Sequence, residues 1–247
     1  MKILNPKVSN GLPSCVLLDL DNTLYAYDTA NKAGMIAVVD YAETQLRIKA
    51  ADFDNCFDDA RTEIKQRLGA SAASHNRLLY FQRTLEKAGL ATQPLAALQL
   101  EQIYWSAFLA AAELFDEVPE FLDDLRIAGV PVVIVTDLTA QIQLRKVLYF
   151  GLHRLVDWVV TSEEAGTDKP APTIFHLALA KIGGVEGTVW MIGDDPVKDM
   201  KGARDSLSCM TFLKLGTYNS ALASGDNIDV QFQSFSELRK LLAGFPR

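Results

Sequence analysis

Short runs of consecutive apolar residues, set far apart and separated by stretches of helical period, give this chain its pattern. The first run is Cys15-Val16-Leu17-Leu18, closed by Asp19, Asp21, Asn22 and Thr23. Four apolar residues in a row, ended by turn formers, read as a strand covered on both faces. Similar runs recur as PVVIVTD at 131–137, VDWVVTS at 156–162, TVWMIGD at 188–194 and CMTFLKL at 209–215, with a weaker strand at 230–232. Between them lie helical patterns at 119–127 before Gly129, at 140–150 before Gly151, and at 172–182 before Gly183-Gly184. A short helix is expected at 197–203 and a C-terminal one at 236–242, with Ser236 as its cap. Strands alternating with helices at this spacing predict an α/β domain built on a parallel, doubly wound sheet.

One stretch breaks the alternation. Residues 28–115 have few β-branched pairs and many Ala, Leu, Glu, Gln, Lys and Arg, which favour helix. Ile36, Val39, Ala42 and Leu46 fall near helical spacing, as do Ile64 and Leu68, while 69–74 and 89–94 look like loops between helices. The prediction is an α/β core made of 1–27 and 116–247, interrupted after its first strand by a helical insertion at 28–115. Long insertions of this kind are commonly functional lids.

Composition narrows the class without naming a reaction. Apolar residues are 49% and charged residues 22%, as in ordinary soluble domains. No apolar run approaches the ~18 residues of a membrane span, and the first residues lack an apolar signal-peptide core, which argues against a membrane location and against export. The formal charge of −7, with no basic run, argues against nucleic acid as a partner but leaves room for a small anionic one. The three cysteines, Cys15, Cys56 and Cys209, are odd in number and widely spaced; a reducing cytoplasm suits them. A monomer or homodimer is expected.

The candidate chemistry lies where the strands end. Strand one ends in Asp19 and Asp21, the next in Thr136-Asp137, and the 188–194 strand in Asp194-Asp195, with Asp199 beyond it. The loop ahead of the 172–182 helix carries Asp168-Lys169-Pro170. In a parallel sheet these carboxyl ends share one edge, where open α/β sheets bind ligands. Clustered carboxylates repel, so they need a cation or a proton to coexist. A calcium loop counted from Asp19 fails, because Leu24 and Ala30 stand where Gly and Glu belong. Singly, each residue has a plainer reading: Thr136 as a strand-end cap, Asp168 as a turn former, Asp195 or Asp199 as a helix N-terminal charge, Lys169 as a solvated lysine. Their joint placement favours chemistry.

In order, DLDNTL, VIVTD, DKPAPTIF and MIGDDPVKDMKGA resemble the four signature motifs of the haloacid dehalogenase-like hydrolase superfamily, over residues 14 to about 215. The resemblance implies a phosphatase in which Asp19 is the nucleophile, forming an aspartyl-phosphate, and Asp21 the general acid-base. It implies a Mg²⁺ cofactor held by Asp19, Asp194 and the backbone carbonyl of Asp21, with Thr136 and Lys169 on the phosphoryl oxygens and Asp195 and Asp199 orienting them. Asp137 stands where many relatives carry Asn, so its substrate contact departs from the pattern. Asp21 argues against carbon-halogen chemistry, which needs no second acid.

The inserted segment resembles the helical cap of phosphoglycolate phosphatases and N-acylneuraminate-9-phosphatase, and implies a small phosphorylated metabolite such as a sugar phosphate or nucleoside monophosphate. Within it His75 and Arg77 are the substrate-binding candidates, with Tyr80 and Arg83 nearby, while the arginines also have a plain reading as surface ion pairs. Tyr25 and Tyr27 either line the entrance or pack. A phosphomutase and a non-catalytic phosphate-binding protein on the same scaffold remain alternatives.

Overall fold

A computed structural model describes residues 1–216 and 227–245. Contacts divide the chain into two units: 1–26 with 113–247, and 27–112.

The first unit carries a seven-stranded sheet. Its strands are β1 (Lys2–Ile3), β2 (Cys15–Leu18), β3 (Val132–Thr136), β4 (Trp158–Thr161), β5 (Val189–Gly193), β6 (Cys209–Lys214) and β7 (Val230–Phe232), in the spatial order β1-β7-β6-β5-β2-β3-β4. All neighbours are parallel except β1 on β7. The chain runs outward from β2 through β3 to β4, then returns to the other side of β2 to lay down β5, β6 and β7. The order therefore reverses between β2 and β5, and their carboxyl ends flank the switch point at which open α/β sheets bind ligands.

Period-two alternation sends the central strands' side chains to two cores. Cys15, Leu17, Val133, Val135, Met191 and Leu213 pack with Ile174, Phe175 and Ala178 of a helix at Pro172–Lys181, and with Met200 and Ala203. The opposite face includes Trp190, whose ring centroid lies 4.3 Å from that of Phe212 and 6.1 Å from that of Phe245. Burial raises the Cys15 thiol to about 11 and the Cys209 thiol to about 12, so both behave as small apolar side chains rather than nucleophiles.

Three details depart from the sequence pattern. Strand β1 is too short to show a periodicity. The C-terminal helix starts earlier than expected, at Phe235, and its cap is Ser234 rather than Ser236, because Glu237 reaches back to complete a capping box. The expected helix at 197–203 is two pieces, a π-helical turn at Pro196–Lys201 followed by Gly202–Ser206.

The second unit is four α-helices, Tyr27–Gln45, Ala50–Leu68, Arg77–Lys87 and Pro94–Ala110, with a short 3-10 turn at Ala72–His75. The third is capped by Asn76, whose side chain accepts from Leu78 N at 2.9 Å. The interior is aromatic: Phe57 meets Phe81 at 5.7 Å between centroids, Phe81 meets Tyr104 at 5.9 Å, and Tyr104 meets Trp105 edge-on at 4.8 Å. Gly34 lets the first helix approach the fourth: a Cβ there would stand 2.8 Å from the Tyr104 ring and 3.0 Å from its carbonyl oxygen. Arg83 pairs with Glu63 at 3.1 Å and Glu86 at 3.0 Å, the surface reading of that arginine. Gly34→Val is expected to destabilise the protein by about 1–3 kcal/mol through overpacking. A thermal melt followed by circular dichroism checks it, and an unchanged midpoint would refute the close-packing argument.

Candidate active site

Asp19 and Asp194 are delivered by the ends of central strands, and Asp199 by the π-helical turn that follows β5. Leu18 pairs with Ile192 across β2 and β5, and Asp19 N donates to Ile192 O at 2.9 Å, so Asp19 leaves the sheet beside Gly193-Asp194. Its carboxylate is gripped on both oxygens. Lys169 Nζ donates to Oδ1 at 2.6 Å and Thr23 Oγ1 donates to Oδ2 at 2.7 Å. The same ammonium donates to Asp199 Oδ1 at 2.7 Å and to Val135 O at 3.1 Å. Asp199 enters this space because residue 193 is glycine, since a Cβ there would collide with the Asp199 carboxylate.

Carboxylate oxygens of Asp19, Asp194 and Asp199 lie within 4.8 Å of one another. Burial pushes the Asp19 carboxyl up to about 7; Lys169 opposes that push, and Asp199 and Asp21 reinforce it. Burial, then the charges of Asp19 and Asp199, push Asp194 up to about 8. Burial also disfavours a charged Lys169, yet Asp19, Asp199 and Asp137 outweigh it and hold the lysine firmly protonated. Three hard oxygen donors beside a single ammonium that bonds two of them form a site a small divalent cation fits.

Asp21 lies in a different environment. Lys146 Nζ donates to its Oδ1 at 2.7 Å and its Oδ2 at 2.9 Å, Gln143 Nε2 donates to Oδ2 at 3.2 Å, and the Tyr25 hydroxyl donates to Oδ1. Burial raises its pKa, but these donors, Lys146 foremost, outweigh burial and hold it below the ordinary carboxylate range. Thr136, at the end of β3, accepts from Gln143 at 2.8 Å. Both oxygens of Asp137 are engaged, Oδ1 by Lys169 N at 2.9 Å and Oδ2 by Lys198 Nζ at 2.9 Å, so this residue ties the lysine loop to β3. Asp195 caps the π-helical turn, accepting from Val197 N at 2.8 Å and Lys198 N at 2.9 Å.

The first unit thus gathers Asp19, Asp21, Thr136, Asp137, Lys169, Asp194, Asp195 and Asp199 at one sheet edge. His75 and Arg77 belong to the helical unit. There Arg77 donates to His75 O at 3.1 Å and to the Tyr27 hydroxyl, and its guanidinium lies 5.2 Å from the ring centroids of both Tyr80 and Tyr104. Tyr25 is fully buried, its ring 5.0 Å from Phe150.

Sequence reasoning missed Thr23, Gln143, Lys146 and Lys214. Thr23 sits four residues after Asp19, inside a quoted motif, and spacing alone could have raised it. Lys214 ends β6, buried, 3.9 Å from the Phe115 ring centroid, with its pKa lowered by burial against the opposing charge of Asp194. Gln143 and Lys146 lie on the helix at Ala140–Tyr149, where nothing in the pattern separates them from solvated residues.

A family model described as haloacid dehalogenase-like hydrolase matches residues 13–206. A ribulose-1,5-bisphosphate 5-phosphatase of Halopiger xanaduensis is 41% identical over 193 residues, covering 78% of this chain and 81% of that protein. A glyceraldehyde 3-phosphate phosphatase of Methanopyrus kandleri is 26% identical over 228 residues, 92% of this chain and 94% of its own. Among solved structures, a HAD phosphatase from Thermococcus onnurineus shares the fold with a TM-score of 0.72 at 23% identity, covering 94% of this chain and 98% of that one. With the motif residues gathered as described, the chain belongs to the haloacid dehalogenase-like hydrolase family and is one of its phosphatases.

Proposed function

We propose that this enzyme hydrolyses a small phosphorylated sugar or short hydroxy-carbonyl phosphate through an aspartyl-phosphate on Asp19, with Mg²⁺ as cofactor. The observation that carries the reading is the shared ammonium of Lys169 between Asp19 and Asp199, 2.6 and 2.7 Å away, beside Asp194. Such an arrangement opposes the protonation that burial favours on Asp19 and fixes its carboxylate for in-line attack.

Asp21, an anion in the resting site, takes up a proton as the anionic ester binds beside it. In the first step an Asp19 carboxylate oxygen then bonds to phosphorus as the ester P–O bond breaks, and the departing alkoxide takes that proton. In the second, water attacks the phosphoryl group, its proton passes to Asp21, and the bond from phosphorus to Asp19 breaks to release phosphate. Thr136 and Lys169 donate to the phosphoryl oxygens throughout. Asp19, Asp194 and the backbone carbonyl of Asp21 would hold Mg²⁺, with Asp199 close enough to join or orient them. Bound there, the ion neutralises the carboxylates and polarises the phosphoryl oxygens. The helical unit is proposed as a cap that selects the substrate. Arg77 supports this, since it donates only to neutral oxygens and no acidic side chain pairs with it among the described residues. The names of the two relatives support a sugar or triose phosphate, and the buried cysteines support a cytoplasmic enzyme.

Asp19→Asn is expected to abolish p-nitrophenyl phosphate turnover while leaving the circular dichroism spectrum unchanged; retained turnover would sink the mechanism. A second expectation follows from the raised carboxyls. Asp19 and Asp194, shifted up from 3.8 to about 7 and 8, bind more protons folded than unfolded across that window. Their contribution therefore favours the fold at low pH and is lost as pH rises through the window. In chelator the melting temperature should fall between about pH 4 and pH 8, and added Mg²⁺ should raise it more at the upper end. Asp194→Asn should weaken both trends; a Mg²⁺ effect that is the same at both pH values would count against the site.

A further inference from the structure

We infer that Lys146 and Gln143 are positioning residues that hold the Asp21 carboxylate in register with the Thr136 hydroxyl; the inference rests on the acid-base reading of Asp21 given above. The two lie three residues apart on the Ala140–Tyr149 helix, so they share a face, and both are fully buried. Burying an ammonium and an amide costs free energy, and an apolar pair of similar size would usually serve stability as well. What the pair does instead is local. Lys146 spans both Asp21 oxygens, at 2.7 and 2.9 Å, and with the Tyr25 hydroxyl fixes the carboxylate plane.

Gln143 adds a link to the phosphoryl-binding group. Its amide nitrogen lies 3.2 Å from Asp21 Oδ2, 2.8 Å from Thr136 Oγ1 and 2.6 Å from Asp137 O. Two hydrogens serve three acceptors, and the opposite amide orientation would turn an oxygen toward the Asp21 carboxylate. One planar group therefore sets the distance between the acid-base residue and the hydroxyl expected on the phosphate. Asp21 itself sits on the turn beside Asn22, whose φ is 64°, with its side chain 26% exposed. Without the clamp that side chain is free to change rotamer. An acid-base group displaced by about 1 Å forfeits much of its effect, roughly 100-fold in rate.

The test compares two esters of nearly equal shape, p-nitrophenyl phosphate and phenyl phosphate, with full-length enzyme and Mg²⁺. Phenoxide is the more basic leaving group and depends more on a well-placed proton donor. Lys146→Met should lower kcat/KM for phenyl phosphate by about 10- to 100-fold and for p-nitrophenyl phosphate by less than about threefold. In an Asp21→Asn background the same substitution should cost nothing further, because it acts only through Asp21. Gln143→Leu should move the ratio the same way by a smaller factor, and it carries the test should Lys146→Met fail to fold by circular dichroism.

Equal losses on the two esters, or a loss that persists beside Asp21→Asn, would overturn the inference and leave a purely structural role. The broader reading fails separately: if Asp19→Asn still hydrolyses both esters, the reaction does not pass through Asp19 at all.

Discussion

Everything at the sheet edge depends on one ammonium held between two buried carboxylates. Asp19, Asp194 and Asp199 are brought close by strand ends and a glycine that have no slack, and like charges in a poorly solvated place repel strongly. Lys169 makes the arrangement tolerable, contacting Asp19 and Asp199 while its third donor rests on Val135 O. The lysine sits on a loop rather than a strand, so its position has to be secured from outside. Asp137 does that, accepting from the lysine's own backbone N–H and from Lys198. The apolar sheet behind, buried on both faces, supplies the rigidity; the polar edge uses it.

Two kinds of carboxylate result from this economy. Asp19 and Asp194 lie where burial and like charge resist ionisation, and Asp21 lies where three donors favour it. Splitting the pKa values of neighbouring acids is how one site assigns them different work. Here the raised pair suits a cation, which would relieve their repulsion, and Asp21 is gripped as an anion by groups outside that cluster. The backbone separates Asp19 and Asp21 by a single residue, so the difference comes from their surroundings and not from their place in the chain.

How much of this was legible follows from range. The strand runs, their order of appearance and the acids at their ends are local features, and a parallel sheet converts them into one edge by geometry alone. Thr136, Lys169 and Asp194 could be placed there before any coordinates. Lys146 and Gln143 could not: the helix that carries them has exposed Leu144, Leu148 and Tyr149 beside buried polar positions. That inverts the usual rule relating polarity to burial. The cap at Ser234 was missed for a smaller reason, since Ser234 and Ser236 both satisfy a capping pattern and only the reach of Glu237 chooses between them. Arg83 resolved into surface ion pairs, whereas Arg77, six residues earlier on the same helix, found only neutral oxygens and aromatic faces.

The two buried lysines then show why burial alone does not reveal purpose. Each is closed off from water, each meets carboxylate oxygen at under 3 Å, and each would be costly to leave without its partner. Lys169 joins two acids that otherwise repel, so removing it raises the energy of the whole cluster. Lys146 meets Asp21, an acid that is partly exposed and has two other donors, so Asp21 is less dependent on it for charge balance than the Asp19 cluster is on Lys169. A fully buried ammonium that spans both oxygens of one reacting carboxylate orients that carboxylate, whatever it adds to support. The same argument extends to Gln143, whose buried carbonyl oxygen has no partner among the described residues while its nitrogen is shared three ways. An amide left half-satisfied on one side and crowded on the other has been placed for its nitrogen.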